Sequence, residues 1–252
     1  MRKTLLAAAI MAAALPLSAQ AQDAEYGAWS GSGELSYLMK RGNTRSETFS
    51  AKGNAERDGE DWRHIAKLEA SNIAQRSDAG VDERTAERYF GSYKLDAKID
   101  DANYIFNILS AEKDRYTGFN YEASYALGYG RRVIESDIQV LDIEAGPGYR
   151  FREYEQTPPG GDKTEGDAIL RLAVRYSWAM TPTATFTEDL SSEIGEDATV
   201  TRATTAVTTK ISDAWGLRVS HVLRHTTDPG FTKGVKAKKT DQEITVGVVY
   251  NF

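Results

Sequence analysis

Apolar and polar residues alternate along several stretches of the chain, a pattern typical of β-strands with one apolar and one polar face. The clearest stretch covers 168–180, where an apolar row alternates with a polar row that contains Arg171 and Arg175. The same rule holds in three further stretches, 89–99, 119–130 and 141–152. No long apolar run follows residue 21, which argues against helical membrane spans.

The cost of charge in lipid decides which row faces the membrane. A lysine or arginine on the lipid side costs about 2–4 kcal/mol at the bilayer midplane, and a slip of one residue would turn every such charge outward. We therefore assign the charged rows to the lumen of a barrel, where basic residues outnumber acidic ones and any conduction should favour anions. The candidate lumen-lining residues are Lys94, Lys98, Asp142, Glu144, Arg150, Arg171, Arg175, Arg202, Arg218 and Arg224.

The two ends of the chain indicate where in the cell the protein is located. Arg2 and Lys3, an apolar stretch up to Leu17 and the motif at 19–21 predict a secretory signal peptide over 1–21. The barrel then occupies 22–252, and we expect export through the periplasm to the outer membrane of a Gram-negative cell. The last strand ends in an aromatic residue, as outer-membrane barrels do. We interpret two aromatic residues as the signal for the outer-membrane insertion machinery, namely Tyr250 and Phe252.

Connection lengths support an antiparallel up-and-down transmembrane β-barrel of about twelve strands, because short periplasmic turns should alternate with longer outer loops. A secreted β-sandwich would also show alternation, but it has no reason to pair short and long connections in turn. The predicted periplasmic turns are 58–61, 100–101, 135–137, 181–183 and 212–213. The predicted long outer loops are 73–85, 154–166 and 228–241.

Two segments fit this pattern poorly. The alternation in 104–116 loses its phase after Ile108, and the apolar row of 184–194 would turn Glu188 outward. A β-bulge, or a strand that runs above the membrane, would explain both segments.

Composition narrows the chemistry further. The formal net charge is −6, which argues against general nucleic-acid binding. The chain has no cysteine, so disulfides and thiolate metal sites do not arise. The three histidines show no metal spacing with carboxylates, and we expect no metal, no cofactor and no catalytic residue. The basic residues of the last loop are candidates for contact with lipopolysaccharide, although a solvated loop is the commoner explanation for such a cluster.

Three segments in order, 112–119, 128–132 and 141–150, together with the earlier 42–44, resemble the salt-induced outer-membrane proteins, a Gram-negative family without an assigned function. The resemblance covers essentially the whole chain after residue 21. It implies an outer-membrane barrel linked to salt or osmotic stress, and it carries over no catalytic residue.

Three functions remain open at this point. The first is a small passive channel in a monomeric barrel with outer-membrane lipid and lipopolysaccharide around it. The second is a closed structural or adhesive barrel that acts through its outer loops. The third, which we favour least, is a lipid-modifying enzyme at the rim with His225 as its catalytic residue. We expect the protein not to be an enzyme.

Overall fold

The computed structural model describes residues 27–40, 45–76, 82–114, 117–157, 161–232 and 235–252, so the predicted signal peptide lies outside the described residues. The described chain forms fourteen strands, twelve of which close into one antiparallel barrel. The barrel strands are β1 (Trp29–Lys40), β2 (Arg45–Asp58), β3 (Trp62–Arg76), β4 (Asp82–Lys98), β5 (Asn103–Asp114), β6 (Phe119–Glu135), β7 (Gln139–Tyr154), β8 (Thr164–Ala179), β9 (Ala184–Gly195), β10 (Thr199–Lys210), β11 (Trp215–Thr226) and β14 (Thr240–Asn251). Two short strands, β12 (Phe231–Thr232) and β13 (Val235–Lys236), form a hairpin between β11 and β14.

Each barrel strand pairs with its neighbours in the chain, and β1 pairs with β14 to close the ring. The paired register of this seam is short, running from Ser32 opposite Asn251 to Leu35 opposite Val248. The backbones of Gly31 and Phe252 extend it by exchanging two hydrogen bonds of 3.0 and 3.1 Å. The predicted up-and-down barrel of twelve strands is therefore confirmed.

The connections at one end of the barrel, which we call the turn end, are short. They are 59–61, 99–102, 136–138, 180–183 and 211–214, and they overlap all five predicted short turns. The opposite loop end carries the longer connections 155–163 and 227–239. The prediction for 73–85 was too long, because β3 continues to Arg76 and β4 begins at Asp82.

The poor fit of 104–116 has a physical cause other than a strand above the membrane. β5 alternates regularly through this segment, but Tyr104, Phe106 and Ile108 point into the lumen, where the pattern predicted polar residues. Glycines of β6 make room for these rings. A Cβ at Gly130 would lie 2.2 Å from the ring of Tyr104. The only register shift against β6 falls at the loop end of the strand, between Glu112 and Asp114.

The second poorly fitting segment, β9, is a regular barrel strand. Its register runs unbroken against both β8 and β10, so the predicted bulge is absent from this strand. Glu188 does share the outward row with Leu190, as the alternation required, and it lies half-buried opposite Tyr176 and Thr205. The neighbouring Asp189 faces the lumen.

The usual distribution of apolar and polar residues is inverted. Large apolar side chains stand exposed on the outside of the barrel, while arginine, lysine, aspartate and glutamate are among the most buried residues. Aromatic side chains lie on the outer face near the turn end, as in the tilted pair Trp215 and Tyr250 with ring centroids 5.0 Å apart. This inversion is what a barrel with an apolar solvent outside and a polar lumen requires. The described residues contain no helix long and apolar enough to cross a membrane.

Candidate functional site: a lumen crossed by ion pairs

The middle of the lumen is crossed by a chain of four alternating charges, which we call the belt: Lys67, Asp189, Arg175 and Glu56. Lys67 Nζ lies 2.8 Å from Asp189 Oδ2, Arg175 Nε lies 3.7 Å from Asp189 Oδ1, and Arg175 Nη1 lies 3.4 Å from Glu56 Oε2. β3 and β9 lie opposite each other in the ring, and so do β2 and β8. The belt therefore spans the whole width of the barrel.

A second group of charges, the upper cluster, lies between the belt and the loop end. It consists of Arg88, Arg202 and Arg224 with Glu69, Glu112 and Glu122. Arg202 on β10 reaches Glu69 on β3 at 3.0 Å and Glu112 on β5 at 3.3 Å. Its guanidinium also lies 4.2 Å from the centroid of the Phe90 ring. These side chains are largely buried, and their ion pairs join strands from opposite sides of the barrel.

A third group, the lower network, lies toward the turn end. Arg63 donates from Nε to Asp96 at 2.8 Å and lies 3.4 Å from Asp142. Lys94 lies 3.1 Å from the same Asp96, and it also pairs with Glu144. Tyr104 donates to Glu144 at 3.0 Å, and Arg132 donates to Asp142 at 2.9 Å. Each carboxylate here has a cation within reach, which such deep burial requires.

Two open spaces adjoin these groups. A chamber of about 150 Å³ lies between the belt and the upper cluster, with enough volume for several water molecules. A wider vestibule of about 530 Å³ opens at the turn end, lined by the lower network and by acidic turn residues such as Asp58 and Asp100. The side-chain amide of Asn103 and the backbone N–H groups of Ala102 and Asn103 donate to the carboxylate of Asp100 and lower its pKa.

The loop end is covered by the connection 227–239. Pro229 and Gly230 are buried, and the backbone N–H of Gly230 donates to the carbonyl of Thr117 at 3.0 Å. Thr117 belongs to the connection between β5 and β6, which lies opposite β11 and β14 in the ring. The last loop thus crosses the mouth of the barrel. Gly118, with φ of +80°, allows the close approach, because a Cβ there would lie 2.3 Å from the carbonyl carbon of Gly230.

All ten sequence-predicted lumen residues lie in charge pairs of the interior. Those outside the belt and the two other groups are Lys98, Arg150, Arg171 and Arg218. Lys98 pairs with Asp58 at 2.6 Å, and Arg150 pairs with Asp167 at 2.8 Å. Arg171 lies 3.6 Å from Glu193, and Arg218 lies 3.6 Å from Glu34. None of the ten therefore lacks an opposite charge.

The sequence reasoning missed much of the acidic half of the lumen. Glu112 lies on β5, while Asp189 and Glu193 lie on β9, the two strands whose pattern fitted poorly. Glu34 and Glu56 lie on β1 and β2 and pair with predicted lumen bases. A strict period of two applied through both of these strands would have found the first three. When these acids are included, their negative charges offset the excess of basic charge that the other strands predict.

The histidines make only local contacts on the outer face. His225 Nδ1 lies 2.8 Å from the hydroxyl oxygen of Thr240, and His221 Nε2 lies 3.2 Å from the side-chain oxygen of Gln242. His64 Nδ1 lies 2.7 Å from the hydroxyl oxygen of Tyr93. Within the described ranges, no group of three or more histidine and carboxylate side chains is arranged to hold a metal ion.

The fold and the charged interior place the chain among the antiparallel β-barrels of the kind found in outer-membrane porins. More particularly, the chain belongs to the family described as proteins of unknown function, DUF481, whose model matches residues 33–252. Membership in a family without an assigned function is what the sequence resemblance predicted.

Among known protein sequences, the chain is similar to the uncharacterized protein YdiY of Escherichia coli K12. The two are 26% identical over 216 residues, which cover 86% of this chain and 80% of YdiY. Among solved structures, it is similar to the NanC porin, with a TM-score of 0.54 and 11% identity over 89% of this chain and all of that one. An outer-membrane channel from Pseudomonas putida F1 matches with a TM-score of 0.45 and 8% identity, covering 92% of this chain and all of that one. The NanC similarity supports the fold alone.

Proposed function

We propose that this protein is a monomeric outer-membrane barrel that acts as a narrow passive channel for small polar solutes. The observation that carries the proposal is the chamber above the belt, an open space in the lumen where ionic side chains line the wall together with apolar ones such as Ile65, Phe90 and Ile108. A barrel of twelve strands lies between the filled eight-stranded barrels and the water-filled porins of sixteen strands. Its lumen is therefore wide enough for small solutes once side chains move.

The cellular location and the lipid environment of the protein belong to the same proposal. The protein would be exported through the periplasm, inserted by the outer-membrane machinery through its terminal strand, and surrounded by lipid and lipopolysaccharide. A role in salt or osmotic stress follows from the family resemblance of 112–119, 128–132 and 141–150.

The predicted preference for anions needs revision within this proposal. The bases Arg171, Arg175 and Arg202 would favour anions if they were free, but each lies beside a carboxylate. We therefore propose a charged lumen with weak selectivity between anions and cations, in place of a strongly basic one.

A second candidate is a closed barrel that acts through its loops. It is favoured by two observations, the ion pairs that join opposite strands and the loop 227–239 that crosses the mouth. In that case the charges would serve only to fill the lumen.

Recordings of the refolded protein in a planar bilayer separate the two candidates. The channel predicts discrete openings, and the double variant Arg171→Glu with Arg175→Glu should shift the reversal potential in a salt gradient toward cation selectivity. The matched control is the single variant Lys163→Gln, which removes an exposed charge outside the lumen and should leave the potential unchanged. A barrel that is folded, as judged by its heat-modifiable mobility in gels, but silent in every recording would overturn the channel and support the closed barrel.

A further inference from the structure

The belt differs from the other lumen charges in its access to water. The side chains of Lys67, Asp189, Arg175 and Glu56 are 29–38% exposed. In the upper cluster the exposed fractions are 7–17%. The belt is thus the one of these three groups whose ion pairs lumen water can reach and exchange, and Lys67, Arg175 and Asp189 also line the chamber.

The order of charges along the belt decides which solute can replace these pairs. A simple anion that takes Lys67 from Asp189 leaves that carboxylate with Arg175 alone, at 3.7 Å, and a simple cation that binds Asp189 leaves Lys67 without its belt partner. Removing one member of a partly exposed ion pair is unfavourable, though by less than for a fully buried pair, because the remaining charge loses its Coulomb partner while it stays partly desolvated. A net-neutral molecule with a cationic and an anionic group replaces both partners together and leaves no charge unpaired.

The separation of the charges sets the size of such a molecule. Asp189 contacts Lys67 through Oδ2 at 2.8 Å and Arg175 through Oδ1 at 3.7 Å, so adjacent opposite charges lie within ion-pair distance of one another. A short zwitterion could insert its ammonium group at Asp189 and its carboxylate at Lys67 or Arg175. The chamber beside the belt provides the volume for its few remaining atoms.

We propose that the belt is a binding site for small zwitterions of the α-amino acid type, which the lumen prefers over ions of a single charge and over neutral molecules of the same size. This proposal rests on the proposed channel for its physiological meaning, because it names the class of solute that the channel would pass. The binding itself does not require conduction, so the two can be tested separately.

The test measures binding of glycine to the refolded barrel in detergent by saturation-transfer NMR. Glycolamide serves as the reference, because it is an uncharged isomer of glycine. For the unmodified protein we expect the transfer to glycine to exceed that to glycolamide by about fivefold, the effect of one half-exposed ion pair. The variant Asp189→Asn should abolish the difference. The charge-reversed quadruple variant, Lys67→Glu, Asp189→Lys, Arg175→Glu and Glu56→Lys, should restore it, because reversing all four members keeps the alternation of charge.

The matched control lies outside the lumen. Lys163 and Glu153 form an ion pair of the same length, 2.8 Å, near the loop end, and the double variant Lys163→Gln with Glu153→Gln should bind glycine like the unmodified protein. Equal transfer to glycine and glycolamide in the unmodified protein would overturn the zwitterion site, even if the barrel conducts ions. Selective glycine binding by a barrel that is silent in bilayers would support the site and overturn only the channel.

Discussion

Arg150 donates from one nitrogen, Nη2, to Oδ2 of Asp167 at 2.8 Å and to the carbonyl oxygen of Ala198 at 2.6 Å. The arginine is fully buried and Asp167 nearly so. Through this pair, β7 and β8 are tied to the connection between β9 and β10. A buried arginine is stable only with such partners, so the pair holds the loop end of four strands in one arrangement.

We expect Gly195→Ala to break this arrangement. A Cβ at Gly195 would lie 1.9 Å from Oδ2 of Asp167 and 2.9 Å from Nη2 of Arg150, so the ion pair must move. Overpacking of this kind costs about 1–3 kcal/mol of unfolding free energy. Urea unfolding in detergent, followed by gel mobility, measures the loss. The matched control is Gly33→Ala, where a Cβ meets nothing within 4 Å, and equal stability of both variants would contradict the expectation.

Arg63→Gln tests the lower network. Arg63 serves two carboxylates, Asp96 at 2.7 Å and Asp142 at 3.4 Å, and its side chain is only 4% exposed. The variant leaves negative charge in the lumen wall with less compensation, and such changes cost about 3–5 kcal/mol. Urea unfolding of the refolded barrel measures the loss of unfolding free energy.

Arg131→Gln provides the control for this prediction, because Arg131 is exposed and precedes Arg132 on β6. We expect its unfolding free energy to stay within about 0.5 kcal/mol of that of the unmodified protein, as for surface substitutions generally. If Arg63→Gln lowered the unfolding free energy as little as Arg131→Gln, Lys94 and Arg132 alone would be sufficient to balance the charges of Asp96 and Asp142.

Phe252→Ala tests the terminal strand as an assembly signal. The backbone of Phe252 exchanges two hydrogen bonds with Gly31, and its ring covers that glycine, since a Cβ at Gly31 would lie 2.7 Å from ring atom Cζ. The variant keeps the backbone bonds but loses the ring at the barrel seam. We expect a smaller folded fraction in the outer membrane, measured by heat-modifiable mobility in gels. Phe151→Ala, on the outer face of β7, is the control, and equal insertion of both variants would contradict the role of Phe252.

The strand pattern predicted most of the barrel because lipid and lumen impose opposite demands on alternate residues. On β8, the row that contains Arg171 and Arg175 could face only inward, and this decided the phase of the whole strand. The pattern failed where lumen residues are apolar. Tyr104 and Phe106 occupy lumen positions because Gly128 and Gly130 of β6 leave space for their rings, and no single-strand pattern contains that pairing.

The ion pairs across the lumen could not be predicted from the sequence either. Whether Lys67 meets Asp189 depends on the number of strands and on the stagger that places β3 opposite β9. Neither quantity is encoded locally in either strand. The sequence could therefore predict charged rows, but it could not predict that the rows neutralise one another through ion pairs between opposite walls.

Substitution at the contact between Gly118 and Gly230 is the most direct test of whether the mouth of the barrel limits conduction. Gly118 has a φ of +80°, which favours glycine, and its Cβ position would lie 2.3 Å from the carbonyl carbon of Gly230. In Gly118→Ala the loop 227–239 must move away from the connection between β5 and β6. The new Cβ would clash with backbone atoms of Gly230, and these cannot rotate away as a flexible side chain could. The hydrogen bond from Gly230 to Thr117 would then be lost.

If this loop is the narrowest barrier, Gly118→Ala should increase the single-channel conductance measured in a planar bilayer. The control is Asp228→Asn, which removes one charge from an exposed ion pair with Lys236 in the same loop and should leave the conductance near its original value. Unchanged conductance in Gly118→Ala would place the barrier at the belt or the upper cluster. In that case Arg202, which spans from β10 to Glu69 and Glu112, becomes the residue whose removal should widen the path.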